Sequence, residues 1–158
     1  MNDMILFAHP TFGVLAILAA VWVFVETLNA GEDNVARIRM AALAVAVFMC
    51  LSWVLAGYWY VNFYAPEKAL ILGGPWPWAH KIFMETKEHL FFIPLVLALY
   101  LPFATRVRLF ANKAARTMVL SVAGLIAASG FAIEGAGAVI NYGVKVSLLQ
   151  AAHQGPKS

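Results

Sequence analysis

Four long apolar stretches constrain the fold of this chain more than any other feature. A helix that crosses the hydrocarbon core of a bilayer, about 30 Å thick, needs about 20 mainly apolar residues. In lipid each backbone polar group must be hydrogen-bonded within the chain, so stretches of this length predict helices. We therefore expect an all-α, integral-membrane four-helix bundle, formed by one transmembrane domain over residues 1–158. The four predicted helices cover residues 4–28, 38–64, 79–104 and 116–142.

The composition agrees with a membrane protein. Hydrophobic residues make up 63% of the chain and charged residues 12%, whereas about a quarter of an ordinary soluble domain is charged. The net charge of +3 is small and scattered, so we expect no nucleic-acid partner. One cysteine, Cys50, excludes an intrachain disulfide and a zinc ribbon. The lipid bilayer, with a bacterial inner membrane as the expected location, is the first predicted partner.

The loops predict how the bundle is oriented. The first and third connections are short and basic, and the positive-inside rule places them in the cytoplasm. Both termini would then lie on the outer, periplasmic side. The outer loop over residues 65–78 is rich in proline and glycine, which predicts a stiff cap, and residues 145–158 form a more polar tail. The basic residues of the two cytoplasmic connections are Arg37, Arg39, Arg106, Arg108, Lys113 and Arg116.

The third helix begins with ionisable residues that lie too deep for a membrane surface. The 15 or so uncharged residues of Leu90–Ala104 give a helix of about 22 Å, which is shorter than the hydrocarbon core. His89, and with it Glu85, must therefore lie below the outer surface. They are four residues apart and share one helical face. Ionisable groups at such depth usually face the bundle interior and are functional candidates. Pro94 should kink the helix just past His89.

Polar residues of all four helices fall at one depth. At 1.5 Å per residue, His89, Glu134 and Tyr58 lie about 25–28 Å from the basic ends of their helices. His9 lies about 30 Å from the far end of the first helix by the same count. The next residue is Pro10, so His9 is interpreted as a helix N-cap. Four polar groups at one level predict a site.

The fourth helix adds a carboxylate among glycines. Glu134 needs a partner or a proton, because an ionised carboxylate is costly in lipid. Small residues let helices pack closely, which is the commoner reason for such glycines, and they also let a flat macrocycle lie against a helix. The glycines concerned are Gly130, Gly135 and Gly137. Elsewhere, we expect Glu26 to pair with a loop arginine and His153 to be exposed.

A b-type haem is the first chemistry that these residues predict. Two neutral imidazoles at one depth on different helices can ligate one iron. His9 and His89 are the expected axial ligands, with His80 as the substitute for either. Glu134, Glu85 and Tyr58 would surround the haem or a neighbouring quinol and carry its protons.

Two other chemistries remain open. Imidazoles and carboxylates also suit a non-haem copper, zinc or iron site. Intramembrane carboxylates and histidines also build proton relays, so a redox-inactive, proton-conducting or structural subunit of a larger complex is the third possibility. The metal-ligand candidates are His9, His80, Glu85, His89 and Glu134.

The helix count, together with His9 and His89 at matched depth beside the fourth-helix glycines, resembles the small four-helix integral-membrane b-type cytochromes. The resemblance implies electron transfer near the outer face, coupled to quinone or quinol or to an extracytoplasmic redox partner. It also implies other subunits, as in a membrane oxidoreductase, or a homo-oligomer. Such cytochromes often bind two haems through four histidines. Because His153 lies in the tail, at most one haem is expected here.

Overall fold

The computed structural model describes residues 2–154, and the side chains of residues 4–153. This part of the chain is helical almost throughout and contains no strand. Four segments are long and apolar enough to cross a membrane, which confirms the predicted all-α, four-helix architecture. The elements are α1 (Asn2–Leu28), α2 (Val35–Phe63), α3 (Ala65–Gly73), a π-helical turn (Ala79–Met84), α4 (Glu85–Leu90), α5 (Phe92–Ala104) and α6 (Lys113–Gln154).

The four spans form a bundle in which α1 and α5 occupy opposite corners. Helix α1 packs against α2 and α6, and α5 packs against the same two helices. Small side chains fill much of the core, which lets the backbones approach closely where lipid gives little hydrophobic driving force between helices. Fully buried core residues include Ala16, Ala20, Val23, Ala42, Val45, Ala98, Ala123 and Ile126.

Two basic loops meet at one end of the bundle, called here the basic end. The Arg39 guanidinium donates hydrogen bonds to the carbonyl oxygens of Thr105, at 3.2 Å, and Arg106, at 3.0 Å. Arg37 forms a two-pronged ion pair with Glu26, at 3.0 and 3.2 Å, as predicted for Glu26. The loops after α1 and α5 are therefore on the same side of the bundle. The side of the membrane on which they lie stays a prediction.

Helix α1 does not begin at His9. It starts at Asn2 and contains Pro10 in its interior, so the N-cap interpretation of His9 is wrong. A proline deprives the carbonyl four residues earlier of its donor. The residues before His9 are mainly apolar, however, and a helix is the only way to satisfy their backbone in lipid. This requirement outweighs one missing hydrogen bond.

The segment predicted as the outer loop, residues 65–78, contains helix α3. Pro66 and Glu67 lie in its first turn, where proline fits and a carboxylate faces the positive end of the helix dipole. Helix α6 continues to Gln154, well past the predicted end at residue 142. Its extension packs against the π-helical turn and the cap, because a Cβ on Gly143 would lie 2.9 Å from that of Ala79 and 3.9 Å from Ile71 Cγ1. Residues 155–158 of the predicted tail lie outside the described residues.

The third span, Ala79–Ala104, consists of three consecutive helical segments. The π-helical turn leads into α4, and the helix is interrupted at Phe91 before α5 begins. Pro94 follows within one turn and has no amide hydrogen to donate to the preceding turn. The interruption therefore falls just past His89, where the proline predicts a kink.

Candidate functional site

His9 of α1 is hydrogen-bonded to Ser52 of α2. The imidazole Nδ1 lies 3.0 Å from the Ser52 carbonyl oxygen and 3.1 Å from Ser52 Oγ. The Ser52 hydroxyl donates in turn to the His9 carbonyl oxygen at 3.2 Å. A carbonyl can only accept, so Nδ1 carries the ring proton and Nε2 keeps a free lone pair. His9 can therefore accept a proton at Nε2.

The side chain of Glu134, which belongs to α6, lies near Ser52 and the same part of α1. Its Oε1 packs directly against Gly13, where a Cβ would overlap it. The same Cβ would lie 3.5 Å from Ser52 Oγ. Gly13, one turn below His9, thus leaves the space into which the Glu134 side chain fits.

Lys87 of α4 brings a cation to this carboxylate. Its Nζ would lie 3.1 Å from a Cβ on Gly137, which is one turn from Glu134 on the same face of α6. The Lys87 ammonium therefore lies about one helical turn from Glu134. Within residues 4–153, however, direct ion-pair contacts are limited to Glu26 with Arg37 and Glu85 with His80. His9, Ser52, Lys87 and Glu134 together are called here the inner polar cluster.

A small cavity adjoins the Glu134 carboxylate. Its volume is about 10 Å³, which is about the room that one water molecule needs. A single water there would give Glu134 a hydrogen-bonding partner. Apart from Glu134 the wall is apolar and comprises Gly13, Ile17, Met49, Phe91, Pro94, Gly130 and Ile133.

The fully buried core of the described residues differs on the two sides of the cluster. Between it and the basic end, the described core is formed by buried aliphatic side chains such as Val23, Val45 and Ile126. The buried hydroxyls of Thr27 and Thr105 come only at the basic end itself. Toward the cap, by contrast, the core contains the buried imidazole of His80.

A second group of polar side chains lies toward the cap and is called here the outer cluster. It comprises Tyr64, His80 and Glu85. The Tyr64 hydroxyl lies 3.0 Å from His80 Nδ1, within hydrogen-bonding distance, and His80 Nε2 lies 3.5 Å from Glu85 Oε1. Both ring nitrogens of His80 are thus engaged. Burial raises the pKa of the Tyr64 phenol, which keeps its proton.

The structure divides the predicted site residues between the two clusters and the exposed surface of the bundle. His89 is exposed, and its Nδ1 donates to the Glu85 carbonyl oxygen at 2.6 Å. Tyr58 is 51% exposed and packs edge-on against Phe63. Gly135 faces open space. Among the described residues, no three His, Cys, Asp or Glu side chains converge as a metal site requires.

The haem prediction finds no fit in this arrangement. His9 has the free Nε2 and the fixed Nδ1–H that a metal-binding histidine shows, but His89 points away from the bundle. His80 has no free nitrogen, and the cavity beside Glu134 holds about one water and not a macrocycle. Haem, quinone and the non-haem metals therefore stay predictions.

Lys87 and Ser52 are the members that sequence reasoning missed. Lys87 is interpreted from sequence as an interfacial charge whose long stem reaches water. It nevertheless falls in register with Phe91, Pro94 and Ala98, which line the inner face of the third span. This spacing of three to four residues was the available signal. No comparable signal marked Ser52.

His153 is exposed, as predicted, and its Nδ1 hydrogen-bonds to the Leu149 carbonyl oxygen of its own helix at 2.7 Å.

Comparison with known proteins finds no matching family model, no similar curated protein and no similar solved structure.

Proposed function

We propose that this chain is an integral-membrane subunit that takes up and releases a proton at the inner polar cluster. The observation that carries the proposal is the placement of the half-buried Glu134 and Lys87 about one helical turn apart, with the free Nε2 of His9 nearby. Charged side chains at such depth are costly and usually serve a function.

The pair explains how the site can hold a labile proton. Lys87 and Glu134 compensate one another when both are charged, although they do not form one of the direct ion pairs of the described residues. The cavity beside the Glu134 carboxylate has room for about one water molecule. Adding a proton to Glu134 leaves the Lys87 cation uncompensated. The neutral imidazole of His9 offers a second acceptor on the opposite side. Exchange of a proton between these acceptors changes the charge of the site little.

The site is proposed to exchange protons with one face of the membrane. Among the described residues, the fully buried side chains between the cluster and Thr27 and Thr105 at the basic end are aliphatic, whereas the buried His80 lies on the cap side. This geometry favours a proton-binding site over a channel. A reaction in the membrane that releases or consumes protons, such as quinol oxidation, is the class of process that it would serve.

Infrared difference spectroscopy on the protein in lipid nanodiscs tests the proposal. A pH step should produce a protonated-carboxyl band that disappears in Glu134→Gln. The band should stay in the matched control Glu32→Gln, which removes an exposed carboxylate at the basic end. In Lys87→Met the band should persist to higher pH, because a carboxylate in lipid without its cation retains a proton. A band that is unchanged in Glu134→Gln would contradict the proposal.

Proteoliposomes that contain a trapped pH dye separate a proton-binding site from a channel. Under an imposed potential we expect no steady proton flux beyond that of protein-free vesicles. A sustained flux that Glu134→Gln abolishes would show conduction through the bundle, and the one-sided site would be the wrong description.

A further inference from the structure

The outer cluster has features that the proton site does not use. Tyr64 is 2% exposed and His80 is 3% exposed, so the Tyr64–His80 hydrogen bond is shielded from water. This differs from the usual interfacial tyrosine, whose hydroxyl sits at the wet edge of the membrane. Tyr58, six residues earlier and half exposed, shows that ordinary placement.

The hydrogen bonds of the outer cluster are ordered for proton transfer. His80 Nε2 faces the carboxylate of Glu85, whose side chain is about half exposed. A carboxylate can only accept a hydrogen bond, so the ring proton of the neutral imidazole is on Nε2, and Nδ1 accepts from the Tyr64 hydroxyl. A carboxylate in this position orients the imidazole and stabilises its cation, as it does beside other catalytic histidines. His80 is therefore set up to receive the Tyr64 proton.

Aromatic rings connect Tyr64 with the surface. The ring centroids of Tyr60 and Trp59 lie 5.1 and 5.6 Å from that of Tyr64, and both neighbours are half-buried. Tyrosine and tryptophan are the side chains that lose a single electron most readily. The stack therefore provides a route by which an electron can leave the buried phenol.

We propose that Tyr64 is a one-electron redox residue whose proton moves to His80. An oxidant of the one-electron class, such as a metal complex or an organic radical on a partner, accepts one electron from Tyr64. The O–H bond breaks and its proton forms a bond with His80 Nδ1, giving a neutral tyrosyl radical and an imidazolium paired with Glu85. Reduction by one electron returns the proton to the phenol. This proposal is independent of the inner polar cluster.

Electron paramagnetic resonance after flash oxidation tests this assignment. The protein in nanodiscs is illuminated with a ruthenium polypyridyl sensitiser and persulfate as the electron acceptor. We expect a long-lived neutral tyrosyl radical that is lost in Tyr64→Phe and retained in the control Tyr58→Phe. Tyr64→Phe keeps the ring stack, so its fold should survive. A signal of equal size and lifetime in Tyr64→Phe would overturn the assignment.

The role of His80 is tested with a variant whose side chain can accept the Tyr64 hydrogen bond but cannot accept the Tyr64 proton. His80→Asn places an amide oxygen near the position of Nδ1, where it can accept a hydrogen bond but not the proton. We expect at least a tenfold fall in radical yield or lifetime, with helicity unchanged by circular dichroism. Glu85→Gln, a change at an exposed side chain, should shorten the lifetime less. If His80→Asn gives the wild-type yield and lifetime, His80 does not accept the proton and the proposal fails.

Discussion

Gly13 affects the site because it has no side chain. Glu134 occupies the space that a Cβ would fill, and the obstacle is the end of a flexible side chain instead of backbone. A larger residue at position 13 should therefore displace the carboxylate without unfolding the bundle. At this scale, one missing methyl group decides whether a carboxylate lies inside the protein or leaves it.

Gly13→Ala should shift or abolish the Glu134 infrared band while changing the free energy of unfolding by less than about 1 kcal/mol, the low end of overpacking costs. Gly57→Ala is the matched control, because nothing lies within 4 Å of a Cβ there. It should leave the band intact and stabilise the helix by about 0.4–1 kcal/mol. Infrared spectra and thermal unfolding in the same lipid give both quantities. Equal band shifts in the two variants would show that Gly13 has no special role.

The predicted haem also depends on individual side chains, because single imidazoles would ligate its iron. An optical spectrum of the purified protein, oxidised and reduced, together with a pyridine haemochrome assay, tests it. The sequence predicts a haem spectrum lost in His89→Ala and retained in His153→Ala. Because His89 faces outward in the structure, we instead expect His89→Ala to have no effect. A haem band that requires His89 would mean that α4 turns by nearly half a revolution when haem binds.

The elements are positioned by close contacts between α6 and its neighbours. A Cβ on Gly130 would lie 2.6 Å from Ile17 Cγ1, and a Cβ on Gly143 would lie 2.9 Å from that of Ala79. The π-helical turn over Ala79–Met84 places His80 against Tyr64 at the end of α2. A π-turn inserts an extra residue into a helix and is often found at functional sites. The outer cluster therefore depends on how α6 supports this turn.

Gly130→Ala and Gly143→Ala should each destabilise the protein by about 1–3 kcal/mol, because a β-branched side chain and a backbone-fixed Cβ cannot move aside easily. Gly135→Ala, which meets nothing within 4 Å, is the control on the same helix. Thermal unfolding in detergent measures the differences. A neutral Gly143→Ala would mean that the cap is not packed on α6.

The cap should respond to pH through Glu67. Burial raises the pKa of the Glu67 carboxyl above its usual value, so the folded cap favours the protonated acid. Its stabilising contribution is complete at pH below the ordinary carboxyl pKa, and is lost as pH rises through the raised one. Hydrogen exchange of α3, corrected for the intrinsic rate, should show this loss in the wild type and not in Glu67→Gln. An identical pH profile in both proteins would contradict it.

The whole molecule has four segments that are long and apolar enough to cross a membrane, and if all four cross we expect residues 2 and 154 on the same side. The basic end, where Arg39 joins the loops after α1 and α5, is predicted to face the cytoplasm by its positive charge. In a Cys50→Ala background, cysteines placed at Glu32 and Lys113 should react with an impermeant reagent only after the membrane is opened. A cysteine at Gly73 should react in intact cells. The reverse pattern would invert the topology.

The sequence by itself determined the number and the approximate bounds of the spans, because bilayer thickness and backbone hydrogen bonding leave helices as the one solution. It also determined the pairing of Glu26 with a loop arginine, since a carboxylate near a basic loop has few other partners. Both results follow from local length and charge.

Only the tertiary structure decided which polar side chains meet. Depth along a helix can be counted from the sequence, but rotation about the helix axis depends on packing with the other helices. His9, Glu134 and His89 share a depth, yet the packing turns Lys87 inward and His89 outward. The two residues are about 200° apart around the helix, so packing that buries one necessarily exposes the other. The site is therefore a lysine–glutamate pair beside His9, and His80 belongs to a separate cluster with Tyr64.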